Sequence, residues 1–93
     1  MISCEGGRCS VKGPLTMRNV TAVLAESAPL FTGPSIVVDL AGVTEVDSAA
    51  VSLLLEWRRM AAKAQHRIEF ANLPANLKSL AELYGVLGLL GTA

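Results

Sequence analysis

The chain has 93 residues, 52% of them hydrophobic and 17% charged, with eight Lys plus Arg balanced by eight Asp plus Glu. That length supports one domain, residues 1–93, because two would each be too small to bury a core, and the apolar content excludes a disordered chain. The neutral balance and the shortage of aromatics (one Trp, one Tyr, two Phe) argue against a nucleic-acid partner or an electrostatic membrane footprint.

The opening stretch MISCEGGRCS has no basic region followed by an apolar run, so no signal peptide is expected. Residues 2–4 and 8–12 read as two short strands joined at Gly6-Gly7, a pair suited to a tight hairpin. Cys4 and Cys9 are too few for a disulfide framework. Their C-x4-C spacing, with a single His in the chain, is a poor zinc signal, so the expectation is two reduced thiols and no metal. Gly13-Pro14 is expected to break the second strand. A first helix follows over 16–28, with Thr16 as its cap and Met17, Val20, Leu24 and Ala28 on its buried face.

Pro29, Gly33 and Pro34 mark a loop. SIVVDL (35–40) is a continuous β-branched run, the pattern of a central strand buried on both faces, and AGVTEV then reads as a loop to Asp47. A second helix is predicted over 48–64, a fourth strand over 67–73, and a third helix beginning at Pro74. Leu77, Leu80, Ala81 and Tyr84 are expected on the third helix's core face, and Gly85 to stop it. The apolar tail VLGLLGTA is expected to dock on the sheet or form a last short helix. The order ββαβαβα implies an α/β fold, a mixed central sheet of about four strands with helices packed on it.

The second helix carries an apolar arc centred on Ala50, Leu54, Trp57, Ala61 and Ala64, with Val51 and Leu55 on one flank and Leu53 and Met60 on the other. Its polar stripe is Ser52, Glu56, Arg59 and Lys63. So wide an arc fits either deep burial against the sheet or a flank such as Leu53 and Met60 that meets another protein. The longest apolar stretch, around Leu53–Leu55, ends at Glu56, far short of the roughly 20 residues of a membrane span. A soluble, cytoplasmic chain without direct membrane insertion is therefore expected.

Asp47 and Ser48 stand where this helix begins, at the carboxyl end of the third strand, where open α/β sheets place their sites. An Asp or Ser there is first an N-cap. It is also where free backbone N–H groups would receive a phosphate or a partner. Nothing equips Ser48 as a nucleophile. There is no G-x-S-x-G elbow, and His66 lies at the far end of the same helix, about 27 Å away at 1.5 Å per residue. Walker, Rossmann and paired-carboxylate patterns are absent. The residues thus predict no enzyme, no catalytic residue and no cofactor, and by themselves reach a soluble α/β interaction domain.

The stretch VVDLAGVTEVDSAAVSLLLEWRRMAAKAQ resembles the STAS domain, the fold of bacterial anti-sigma factor antagonists, with Asp39-Leu40 closing an apolar strand and Asp47-Ser48 opening a helix. G-P-L-T (13–16) and SLAELYGVLGLL (79–90) are similar to that family's entry to its first helix and its closing segment, so the resemblance covers nearly the whole chain. The segment L-A-E-L-Y-G-V (80–86) and the G-x-L-T start look more like the MlaB-like group, small free-standing STAS proteins. That resemblance implies a subunit on the cytoplasmic face of the inner membrane. It would be bound to the ATPase of the Mla phospholipid-transport ABC complex, and through it to the permease, in a system that maintains outer-membrane lipid asymmetry. It puts Ser48 where the antagonists carry their phosphorylated serine and Asp47 at the acidic residue before it, with Ser52 and Glu56 next along the exposed helix. Ala49 and Ala50 depart from the family, where Gly, Ser or Thr is frequent, and they stiffen the helix start. The alternative that the resemblance offers is an anti-sigma factor antagonist switched by a partner kinase at Ser48.

Overall fold

The computed structural model describes residues 2–89. Strands β1 (Ile2–Glu5), β2 (Arg8–Leu15), β3 (Ser35–Val46) and β4 (Arg67–Ala71) form one sheet in the order β1-β2-β3-β4. β1 runs antiparallel to β2, whereas β2, β3 and β4 are mutually parallel. Helices α1 (Val20–Ser27) and α2 (Ser48–Lys63) make the two crossovers, and α3 (Ala75–Leu83) and a short 3-10 turn (Leu87–Leu89) follow β4. The mixed four-stranded α/β sheet expected from the element order is the one observed. The end of the expected tail segment, residues 90–93, lies outside the described residues.

β3 is longer and less buried than its sequence suggests. It continues through 41–46, the stretch expected to be a loop, and pairs there with β2 alone: Gly42 opposite Lys12, Val43 opposite Gly13, Val46 opposite Leu15. It is also buried on one face, not two. Ile36, Val38 and Leu40 are in the core, while Val37 and Asp39 sit half-buried on the other face. Asp39 accepts from the Ala41 amide, the Asn72 side chain and Arg8, and these bonds, the Ala41 amide first, hold its carboxyl below the ordinary range. Its lowered pKa adds stability that is complete above the ordinary carboxylate value and lost as pH falls through the lowered one.

β2 likewise runs through Gly13-Pro14, where a break was expected. Its partner β1 ends opposite Val11, so beyond that point β2 is open on one side and Pro14 removes no ladder bond there. Register shifts on either side of Lys12-Gly13, with Gly13 at φ +91°, absorb the irregularity.

Residues 16–19 form a turn in place of the expected first helical turn. The Asn19 side chain accepts from the Thr16 amide at 2.8 Å and donates to the Pro14 carbonyl at 2.6 Å. Thr16 therefore does not cap α1, and Met17, expected in the core, is 77% exposed. Tyr84, placed by its spacing on the core face of α3, is the residue that ends that helix and is 52% exposed. Leu77, Ala81 and the half-buried Leu80 do face the core.

The core joins one face of the sheet to α1, α2 and α3. Trp57, Phe70, Leu15, Leu40, Leu54 and Leu77 are its largest fully buried side chains. Trp57 packs against Phe31 with ring centroids 5.1 Å apart and donates its indole N–H to Ser27 Oγ at 2.8 Å. Ser27 in turn donates to the Leu24 carbonyl, so this buried polar pair is satisfied. Leu53 is buried too, which settles the wide arc of α2 mainly as burial, with Met60 left at the surface.

The expected reduced thiols are a disulfide in the structure. Cys4 and Cys9 are directly opposed across the β1–β2 hairpin, with Cα atoms 4.0 Å apart. Spacing along the chain does not reveal this; strand register does. Intact mass after alkylation under denaturing conditions should show no adducts without reductant and two after reduction. Two adducts without reductant would show that the bond does not form.

α2 and α3 end alike. In each, the residue after the cap is left-handed, Gln65 at φ 60° and Gly85 at φ 69°, and amides return to the last turn: His66 to Ala61 and Gln65 to Ala62, Val86 to Ala81 and Gly85 to Glu82. Gln65 occupies a conformation that costs an L-residue about 1–2 kcal/mol. Gln65→Gly should therefore stabilise the fold by about 0.5–1 kcal/mol in urea unfolding, after allowing for glycine's greater chain entropy.

Candidate functional site

Because Leu15 and Val46 are opposite each other, β2 and β3 end side by side, and the segments leaving them are pressed together. Asp47 exploits this. Its Oδ1 accepts from the Ala49 amide at 2.9 Å, capping α2, and its Oδ2 accepts from the Met17 amide at 3.0 Å, holding the 16–19 turn. Its own amide reaches the Leu15 carbonyl at 3.4 Å. The carboxylate expected to meet a partner is half-buried, with each oxygen occupied by backbone. Asp47 thus shapes the site more than it presents charge from it.

Ser48, the first residue of α2, is exposed, and its hydroxyl makes no hydrogen bond among the described residues. Ser52 is exposed one turn on and Glu56 is half-buried a turn further, so the three make one stripe. Glu56 is engaged with Arg59, whose side-chain hydrogen bond lowers the Glu56 pKa and raises that of Arg59. Ser48 and Ser52 are the free polar members of the stripe.

Sequence reasoning missed the apolar half of this surface. Ser48 and Ser52 line a shallow cleft of about 310 Å³ together with Val51, Leu55, Tyr84 and Val86. Exposed Leu83 adjoins Tyr84, and exposed Met17 extends from the turn that Asp47 holds. The signal was present for Tyr84: it precedes Gly85, a helix stop, and residues at a helix end leave the face that periodicity assigns them. For Met17 the apolar spacing pointed the wrong way.

Among the described residues, neither an imidazole nor an unengaged carboxylate stands beside the Ser48 hydroxyl. His66, the chain's single histidine, lies past the far end of α2 from Ser48, and Asp47's oxygens face amides. Among the described residues no group of three or more His, Cys, Asp or Glu could hold a metal, and no helix is long and apolar enough to cross a membrane.

The family model described as "Mlab, STAS domain" matches residues 3–91. No curated protein matches the chain. Among solved structures, the anti-sigma factor antagonist SpoIIAA in its unphosphorylated form superposes with a TM-score of 0.74 at 18% identity, over 100% of this chain and 86% of that one. At that identity the likeness is one of fold. The chain belongs to the STAS domain family, in its MlaB-type branch.

The two site residues should separate by stability. Asp47→Ala should cost about 1–2 kcal/mol, since it removes a cap and a tether. Ser48→Ala should stay within about 0.5 kcal/mol. Equal losses in urea unfolding would contradict this division of roles.

Proposed function

We propose that this STAS domain is a non-catalytic subunit that binds and supports the cytoplasmic ATPase of an Mla-type phospholipid-transport ABC transporter, the system that maintains outer-membrane lipid asymmetry. On this reading it is peripheral to the inner membrane, held there by the ATPase and its permease. The family match supports the transporter class. The observation that carries the docking site is the pairing of an unbonded, exposed Ser48 with an apolar cleft beside it. Interface centres combine such features: apolar and aromatic side chains with a few placed polar groups. Val51, Leu55 and Tyr84 supply the apolar part, and Ser48 and Ser52 the polar part. Glu56 lies towards the rim, where its pair with Arg59 remains solvated and contributes little. A standard interface takes about 800 Å² per partner, a modest share of the chain's 5360 Å².

A second reading is a phospho-switched anti-sigma factor antagonist, favoured by the exposure of Ser48 at a helix start and by the SpoIIAA-like fold. A phosphate there would add about −1.5 to −2 charges and oppose an anionic partner surface. Intact mass after incubation with a cognate anti-sigma kinase and ATP tests it, and an unchanged mass counts against it.

Ser48→Arg puts a long charged side chain at the mouth of the cleft. Calorimetric titration against the purified ATPase should show binding abolished, with the far-ultraviolet dichroism of the variant unchanged. Wild-type affinity in the variant would remove Ser48 from the interface.

A further inference from the structure

At the opposite end of α2 the neutral total charge conceals a local excess. Four of the chain's eight Lys and Arg (Arg58, Arg59, Lys63 and Arg67) and its only histidine lie within residues 57–68, a stretch with no Asp or Glu. Arg59 is paired with Glu56. Arg58 and Arg67 form no salt bridge among the described residues, and both line a cleft of about 410 Å³ with Ala62, Gln65, His66 and Ile68. Glu69, the next acidic residue along the chain, lines neither this cleft nor the cavity beside it.

That neighbouring cavity has a different chemistry. It measures about 140 Å³ and lies where the end of α1, the start of β3 and the last turns of α2 converge over β4. Phe31, Ile36, Trp57, Met60 and Ala61 give it apolar walls. Two of the polar groups on its wall are already bonded, because the Trp57 indole donates to Ser27 and Ser27 to Leu24, and His66, the other polar side chain there, stands on the side shared with the basic cleft. A space so lined does not hold water well. Cavities of about 150 Å³ with aliphatic and aromatic walls stay dry and accept a molecule the size of benzene. His66 and Ile68 line both the cavity and the basic cleft, so the two meet at these residues.

We propose that the far end of α2 is a binding site for a small organic anion, a carboxylate carried on an apolar tail of about six carbons. The tail fills the cavity against Trp57 and Phe31, and the carboxylate lies in the cleft between Arg58 and Arg67. The two arginines have no acidic partner to displace, and guanidinium is the group best matched to a carboxylate. The apolar cavity alone would take a neutral hydrocarbon, and the arginines alone would take a surface anion. Their junction selects a molecule that has both parts.

Trp57 is the chain's only tryptophan and forms part of the cavity wall, so its fluorescence reports occupancy directly. The probe is hexanoate, with 1-hexanol as the uncharged control, titrated into the full chain. Hexanoate should shift the Trp57 emission with a Kd of about 1 mM or tighter, and hexanol should bind at least about tenfold more weakly. Arg58→Gln with Arg67→Gln should remove that preference while leaving hexanol binding unchanged. Ala61→Leu, which fills the cavity from α2, should abolish both responses. Should Ala61→Leu fail to fold, competition by hexanoate against xenon in the wild-type chain reads the cavity instead. No response to millimolar hexanoate overturns the proposal, as does an unchanged hexanoate affinity in the double arginine variant. Binding to phosphatidylglycerol vesicles that hexanoate does not compete would likewise overturn it, and would assign the basic end to a membrane surface.

Discussion

The Asp47 carboxylate is the constraint on which this end of the molecule depends. One oxygen caps α2 and the other holds the amide of Met17, so the chain leaving β2 and the chain leaving β3 share a single anchor. The register that places Leu15 opposite Val46 makes the anchor possible. Without the overhang of β3 beyond β4, the two segments would not emerge together, and the 16–19 turn would not be tethered to the start of α2. A cap and a site at one position are therefore not alternatives. The cap fixes the helix start, and the next residue along, freed from capping, is what the surface presents.

Burial follows from the same geometry. The sheet is covered on one face, where Val38, Leu40 and Phe70 meet Leu54 and Trp57, and is left half-open on the other, where Arg8, Asp39 and Asn72 satisfy one another. Trp57 is the largest side chain in the core, and its hydrogen bond to Ser27 ties α2 to α1. Because α2 runs from the end of β3 back to the start of β4, it carries an apolar-and-hydroxyl surface at its start and a basic surface at its end. A single neutral sum hides both.

The sequence made the main architecture legible wherever periodicity ran long. The apolar arc of α2 over sixteen residues and the strand–helix alternation leave little freedom, and Asp47-Ser48 marks the helix start through elementary capping chemistry. What it concealed depended on neighbours far along the chain. AGVTEV lacks an obvious strand pattern, yet it pairs because β2 continues alongside it. Pro14 reads as a breaker until it is seen that β1 has already ended. Residues 16–19 carry helical spacing, but Asn19 bonds to Thr16 and Pro14 and makes a turn instead. The Cys4–Cys9 bond rests on cross-strand register, which counting residues cannot supply.

The chemistry of the site follows from what its groups already do. A serine acts as a nucleophile when a base removes its proton, and here the neighbouring carboxylate has both oxygens on amides while His66 lies beyond the other end of the helix. A hydroxyl without an activating base keeps ordinary hydrogen-bonding capacity, and its value lies in being positioned. Ala49 and Ala50 add to this: they lack the backbone freedom that Gly would give and so favour the helical start that positions Ser48 beside Val51 and Leu55. A rigid hydroxyl at the edge of an apolar cleft lowers the ordering cost of association, one of the terms that separate weak interfaces of ordinary size from tight ones. On the docking role proposed for it, the same rigidity would leave little of the site to be ordered on association.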